Sequence, residues 1–241
     1  MKYEEKAYEE LVQWQMKLRK KSGIFARLSK KAQNNINRFI PSEAHQIMTN
    51  AIKMMIKSVL AGANLLSKQS FPKAYTLEEK EKLLEETLAK YRKLATVEGA
   101  GTGAGGILLG LADFPLLLSL KVKFLADIAQ IHGYHIKDYE ERLFLLLVFQ
   151  LAYSSDEKKY ETLKKVENWE NEKKNLKDID WQSFQQEYRD YIDLAKLFQM
   201  LPGVGAAVGA YANYKLLDTL GETAKFCYRL RYFENLKHIR E

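Results

Sequence analysis

The chain has 241 residues, of which 46% are hydrophobic and 29% charged, with one cysteine, four prolines and a net charge of +7. A lone cysteine, Cys227, excludes an intramolecular disulfide and fits a reducing compartment, and scarce proline among abundant Lys, Glu, Leu and Ala favours helix over sheet. The charge is local: residues 1–40 hold ten Lys/Arg and four Asp/Glu, a net of +6, which leaves the remaining 201 close to neutral.

In chain order, residues 3–21 read as a first helix, with Ala7, Leu11, Trp14 and Leu18 on one face and Gly23 as its stop. The opening MKYEEKAYEELVQWQ has four glutamates and no apolar centre, so it is not a secretory signal. A second short helix is expected from Ile24 to Phe39. Between Leu11 and Ser42 there is no acidic residue, while Lys17, Arg19, Lys20, Lys21, Arg27, Lys30, Lys31 and Arg38 all fall there. Ser42 is placed to cap a third helix whose apolar side carries Ile47, Ile52, Met55, Ile56, Val59 and Leu60, closed by Phe71-Pro72. Thr76 with Glu79 forms a capping box, which predicts a helix from Leu77 to Val97.

Nine of the 13 glycines then lie in two short apolar stretches, Gly99–Gly110 and Gly203–Gly209. From Gly99 to Leu120 the only charge is Asp113, and from Leu197 to Tyr214 there is none. Gly99, Gly101, Gly103, Gly105, Gly106 and Gly110, with Gly203, Gly205 and Gly209, give small-x-x-x-small spacings that let helices approach closely. Asp113 is read as an N-cap with Pro115 in the first turn, or as a buried polar group. The helix it opens would run to His132 and end at Gly133. Lys137–Tyr153 is strongly apolar and helical. Residues 154–191 are charged, with Tyr160, Leu163, Val166 and Trp169 on one helical face, and read as a protruding hairpin. Leu201-Pro202-Gly203 is a stop before a long helix from Val204 to Leu236.

These elements predict an all-α fold in a single domain: basic N-terminal helices over 1–40, an apolar Gly-rich core over 99–153 and 197–236, and a charged helical excursion over 154–191.

No pattern of catalytic or cofactor chemistry stands out. Gly101, Gly103 and Gly106 match G-x-G-x-x-G, but the residues before them are helical in character, whereas a dinucleotide fold needs a strand there. No G-K-[ST] follows, which excludes a Walker phosphate loop. His132 and His135, near Asp127 and Asp138, lack the spacing of a helical metal site. Cys227, between Phe226 and Tyr228, reads as a buried structural thiol. No cofactor and no metal is expected. The basic block is the better functional candidate. Its interleaved Trp14, Leu18, Ile24, Phe25 and Leu28 suit an interfacial helix on anionic lipid, and no nucleic-acid motif accompanies it. Lys17, Arg19, Lys20, Lys21, Arg27, Lys30 and Lys31 are the expected membrane contacts.

Several segments together resemble the EcsC family. They are Gly110-Leu111-Ala112-Asp113-Phe114-Pro115-Leu116-Leu117-Leu118, the Gly133-Tyr134 break followed by Glu140-Glu141-Arg142, the turn Leu201-Pro202-Gly203-Val204-Gly205-Ala206-Ala207-Val208-Gly209, and Tyr228-Arg229-Leu230-Arg231. The resemblance implies a mostly helical domain without assigned catalytic residues. It also implies a link by gene neighbourhood to an Ecs-type ABC exporter with an ATP-binding and a membrane subunit. The expectation is a non-enzymatic accessory protein, peripheral on the inner face of the cell membrane. The alternatives are a soluble helical carrier of a lipid or apolar peptide, and an enzyme using Asp113, His132 or Glu140.

Overall fold

A computed structural model describes residues 2–19, 42–62, 76–101, 106–155, 158–177 and 206–240. They form eight α-helices: α1 (Tyr3–Arg19), α2 (Ser42–Leu60), α3 (Leu77–Gly101), α4 (Gly106–Ile131), α5 (Tyr139–Tyr153), α6 (Lys159–Glu167), α7 (Trp169–Lys177) and α8 (Ala206–Arg240). One buried apolar cluster draws residues from all eight, so the described helices share a single core and the fold is all-α.

The last helix organises the bundle. α8 runs antiparallel to α3, its most extensive neighbour, with Asp218 beside Arg92, Gly221 against Leu88 and Arg229 beside Glu81. At Gly221 the two helices come so close that a Cβ would meet Leu88 Cδ2 at 2.8 Å. A larger residue here would have to push the buried Leu88 side chain aside, and this glycine lies outside both glycine-rich stretches. α1 lies along α3 and α8, with Trp14 stacked on Phe226 at 4.9 Å. α4 pairs with α3 through Tyr91, whose hydroxyl donates to Asp127 at 2.9 Å and whose ring meets Phe124. α2 lies on α4 and α5, and its end is tied down where Arg142 Nε donates to the Leu60 carbonyl at 3.0 Å.

The bundle is therefore polar along its axis. At one end α3 finishes at Gly101 while α4 and α8 begin at Gly106 and Ala206. At the other are the start of α1, the start of α3, the α4–α5 turn and the later half of α8.

The capping box forms as expected: Thr76 N–H donates to Glu79 Oε2 at 3.0 Å, and Glu79 N–H donates to Thr76 Oγ1 at 3.3 Å. Gly133, at φ 88°, ends α4 in a Schellman motif, with Gly133 N–H bonded to the Gln130 carbonyl and Tyr134 N–H to that of Ala129.

Elsewhere the structure corrects the sequence reading. α4 begins at Gly106, so Asp113 is no N-cap and Pro115 sits inside a helix. Eight apolar and small residues before Pro115 sustain the helix without the one backbone donor that proline removes. α2 ends at Leu60, where Gly62 adopts φ 71°, well before Phe71-Pro72. On α2 the buried stripe is Ala44, Met48, Ala51, Ile52, Met55, Ile56 and Val59, and Ile47 is exposed. α3 extends to Gly101 rather than Val97. The described part of the charged excursion does not protrude. α6 and α7 lie on α5 with Leu163, Val166 and Trp169 buried, and Trp169 meets Phe144 at 5.1 Å. The expected second helix and residues 178–191 lie outside the described residues. No helix among the described residues is long and apolar enough to cross a membrane.

Candidate functional site

Two arginines of α8 build the most conspicuous polar site. Residues two apart on a helix are rotated by about 200°, so Arg229 and Arg231 face opposite sides of α8, and both are buried. Arg229 faces α1 and α3. Its Nε and Nη2 donate to Glu81 Oε1 and Oε2 at 2.5 and 2.6 Å, and its Nη1 donates to Glu10 Oε2 at 2.8 Å and to the Ala7 carbonyl at 3.1 Å. Glu81 is completed by the Tyr3 hydroxyl at 2.7 Å and Lys225 Nζ at 3.5 Å. Burial opposes the Glu81 carboxylate, but hydrogen bonds from Arg229 and Tyr3 hold it below the usual carboxylate range.

Arg231 faces α5 and the α4–α5 turn. Its fork meets Glu141 at 2.7 and 2.6 Å, and its guanidinium carbon lies 3.5 Å from the Tyr134 ring centroid and 4.5 Å from that of Phe144. The adjoining Arg142 donates to the carbonyls of Leu60, Ile136 and Lys137. The Glu140-Glu141-Arg142 and Tyr228-Arg229-Leu230-Arg231 segments are thus partners across the bundle.

Between the two arginines lies His132, stacked on the fully buried Tyr228 at 4.7 Å. Its Nδ1 is 2.9 Å from the Ile128 carbonyl, which sets Nδ1 as the protonated nitrogen, and its Nε2 is buried without a partner. Burial pushes the imidazole down to about 4, against the raising effect of the Ile128 carbonyl; Lys80, Glu81 and Arg231 act on it from α3 and α8. The sign follows directly. The folded state prefers the neutral ring, so the stabilisation is complete above about pH 6.5 and is lost as pH falls toward 4. A shift of that size corresponds to about 3 kcal/mol. Phenylalanine at 132 keeps the stack and removes the titration, and the Ile128 carbonyl retains its bond from the His132 backbone N–H. Urea unfolding from pH 7.5 to 4.5 is expected to show a steep loss of stability in the parent and a shallower one in His132→Phe. Glu81 adds acid lability that begins at the bottom of that window and deepens below it, equally in both proteins. Parallel slopes would refute this account.

Burial also pushes the Cys227 thiol up, away from thiolate chemistry. Asp113, His132 and Glu140 are not brought together. Asp113 lies 19 positions before His132 along α4 and its end, roughly 28 Å by helical rise. Glu140 faces Lys173 at 3.8 Å. Asp127, near His132 in sequence, is engaged by Tyr91.

Of the expected membrane contacts, Lys17 is exposed near the end of α1. Arg19, also exposed, pairs with Glu167 at 2.6 Å, a surface pair weak enough to exchange. Lys20, Lys21, Arg27, Lys30 and Lys31 lie outside the described residues, as do Gly103, Gly105, Gly203 and Gly205. Gly99 and Gly101 fall in the last turns of α3, Gly106 and Gly110 in the first turns of α4, and Gly209 in the first turn of α8. Asp113 is partly buried, with Oδ2 unpartnered.

The model of the EcsC protein family matches residues 5–233. Among curated proteins the chain is 51% identical to Protein EcsC of Bacillus subtilis (strain 168) over 223 residues, covering 92% of this chain and 93% of that protein. It is 35% identical to Uncharacterized protein YdbA of the same organism over 160 residues, covering 64% of this chain and 59% of that protein. No solved structure matches.

Proposed function

The chain belongs to the EcsC protein family, and on that premise we propose that it is a non-enzymatic accessory protein of an Ecs-type ABC transporter, held peripherally on the inner face of the cell membrane. The observation that carries the attachment is the acid-free, basic stretch between Leu11 and Ser42, whose first cations, Lys17 and Arg19, stand exposed at the end of α1. An anionic leaflet attracts each such cation by about 1 kcal/mol. The buried ionic side chains support a scaffold role, because Arg229, Glu81, Arg231 and Glu141 are committed to one another.

Replacing Lys17, Arg19, Lys20 and Lys21 together by glutamine tests the reading. Membrane partition at physiological salt is expected to weaken by about two to three orders of magnitude, and the parent is expected to lose its attachment in a high-salt wash. Cross-linking in intact cells is expected to join the parent, and not the quadruple variant, to the transporter's subunits. Unchanged sedimentation of the variant with membranes would overturn the electrostatic attachment.

A further inference from the structure

Leu94, Leu116 and Tyr214 are large apolar side chains left 42%, 53% and 37% exposed on three different helices. They lie toward the same end of the bundle. Arg92, two residues before Leu94, sits over the Tyr214 ring at 4.9 Å. Tyr91 of α3 lies level with Phe124 and Asp127 of α4, and Lys121 of α4 reaches Asn213 of α8 at 3.4 Å. Leu116, five residues before Lys121, is therefore about one and a half turns beyond the Lys121–Asn213 level, toward the glycine-rich end.

Past these residues the helices continue. α3 runs seven residues beyond Leu94, α4 begins ten residues before Leu116, and α8 begins eight before Tyr214. At about 1.5 Å per residue each helix runs roughly 10–15 Å past its own exposed residue, and α4 reaches further out than α3 and α8; lengths of this order suit entry into one leaflet, whose hydrocarbon depth is about 15 Å. In those projections the only charged residues are Glu98 and Asp113.

The charge around them is net positive. Lys90 and Lys93 of α3 and Lys123 of α4 are exposed at this level. From residue 90 to 101, 106 to 123 and 206 to 218 there are six cations to three anions. The other half of α3, residues 77–89, holds five glutamates to two lysines. α1 also heads this way: Tyr3 lies at Glu81, Glu10 at Arg229 and Trp14 at Phe226, so its basic end points toward the glycine-rich end.

We infer that the glycine-rich end of the bundle is the membrane-facing end. The protein docks end-on, with the ends of α3, α4 and α8 entering the interface of an anionic bilayer and a lysine collar meeting the headgroups. This rests on the membrane reading above and adds an orientation to it. The opposite end, with the arginine clamps, faces away from the lipid.

Full-length protein labelled with an environment-sensitive fluorophore tests the orientation, because Cys227 is buried and an introduced surface cysteine is labelled selectively. Leu94→Cys and Leu116→Cys report the glycine-rich end, Lys137→Cys the opposite end, and Met16→Cys the exposed flank of α1. The probe is vesicles of equal parts phosphatidylglycerol and phosphatidylcholine. Several-fold brightening with a blue shift is expected at 94 and 116, with no change at 137. A response at 16 or 137 without one at 94 and 116 overturns end-on docking while leaving membrane attachment intact. Failure of all labelled proteins and of the parent to sediment with the vesicles overturns both.

Discussion

Replacing Arg229 by methionine is expected to destabilise the protein by about 3–5 kcal/mol, the range for removing one partner of a buried ion pair. The cause is less the lost attraction than what is left behind. Glu81, 2% exposed, would keep its carboxylate with only Tyr3 and the more distant Lys225 as partners, and the Ala7 carbonyl would lose its side-chain donor. Three helices meet at this guanidinium, so α1 should loosen first. Urea denaturation would show the lowered midpoint, and quenching of Trp14, stacked on Phe226 beneath the clamp, would show α1 detaching ahead of the rest. A double change, Arg229→Met with Glu81→Leu, removes both charges and should recover much of the loss. A double variant no more stable than Arg229→Met alone would contradict the argument that the stranded carboxylate dominates.

The second large effect is expected at Arg231. Leucine there strands Glu141 at the start of α5, again at about 3–5 kcal/mol. Lysine separates charge from geometry. It restores a cation opposite Glu141 but supplies neither the two-pronged fork nor the flat face held between Tyr134 and Phe144. Arg231→Lys should therefore stay destabilised by about 1–3 kcal/mol. Thermal melts of the two variants beside the parent decide this. Lysine matching arginine would mean that charge alone holds the α5–α8 contact.

Both clamps leave a trace in the sequence, though not one that periodicity arguments pick out as a site. Leu77, Leu84, Leu88 and Tyr91 mark the buried stripe of α3, and Glu81 falls on it at helical spacing. Leu220, Ala224 and Cys227 mark a stripe of α8, and Arg231 completes it. A charged residue on an apolar stripe asks for a buried partner of opposite sign, and each supplies one, but the pairing spans 148 positions in one case and 90 in the other. Local signals are readable where the physics is local: the Thr76 cap, the Gly133 terminator, the apolar face of α1 and the apolar run that becomes the buried α5. The start of α4 is not. Asp113-Phe114-Pro115 has the form of a helix opening, and only the helical turns that precede it from Gly106 place the proline inside α4. Gly221 carries no local signal for a related reason. It sits alone in sequence, and its role exists only once Leu88 of α3 is opposite it.

The Arg229 clamp also bears on the order in which the molecule can be made. Glu81 leaves the ribosome 148 residues before its arginine does, and Glu10 precedes that arginine by 219. At about 5–20 residues per second, the α3 carboxylate waits roughly 7–30 s for its partner. During that time α1 and α3 have no α8 to lie against. Helix α1 is thus locked in place by a residue made 219 positions later, and the α1–α3–α8 contact cannot close helix by helix as the chain emerges.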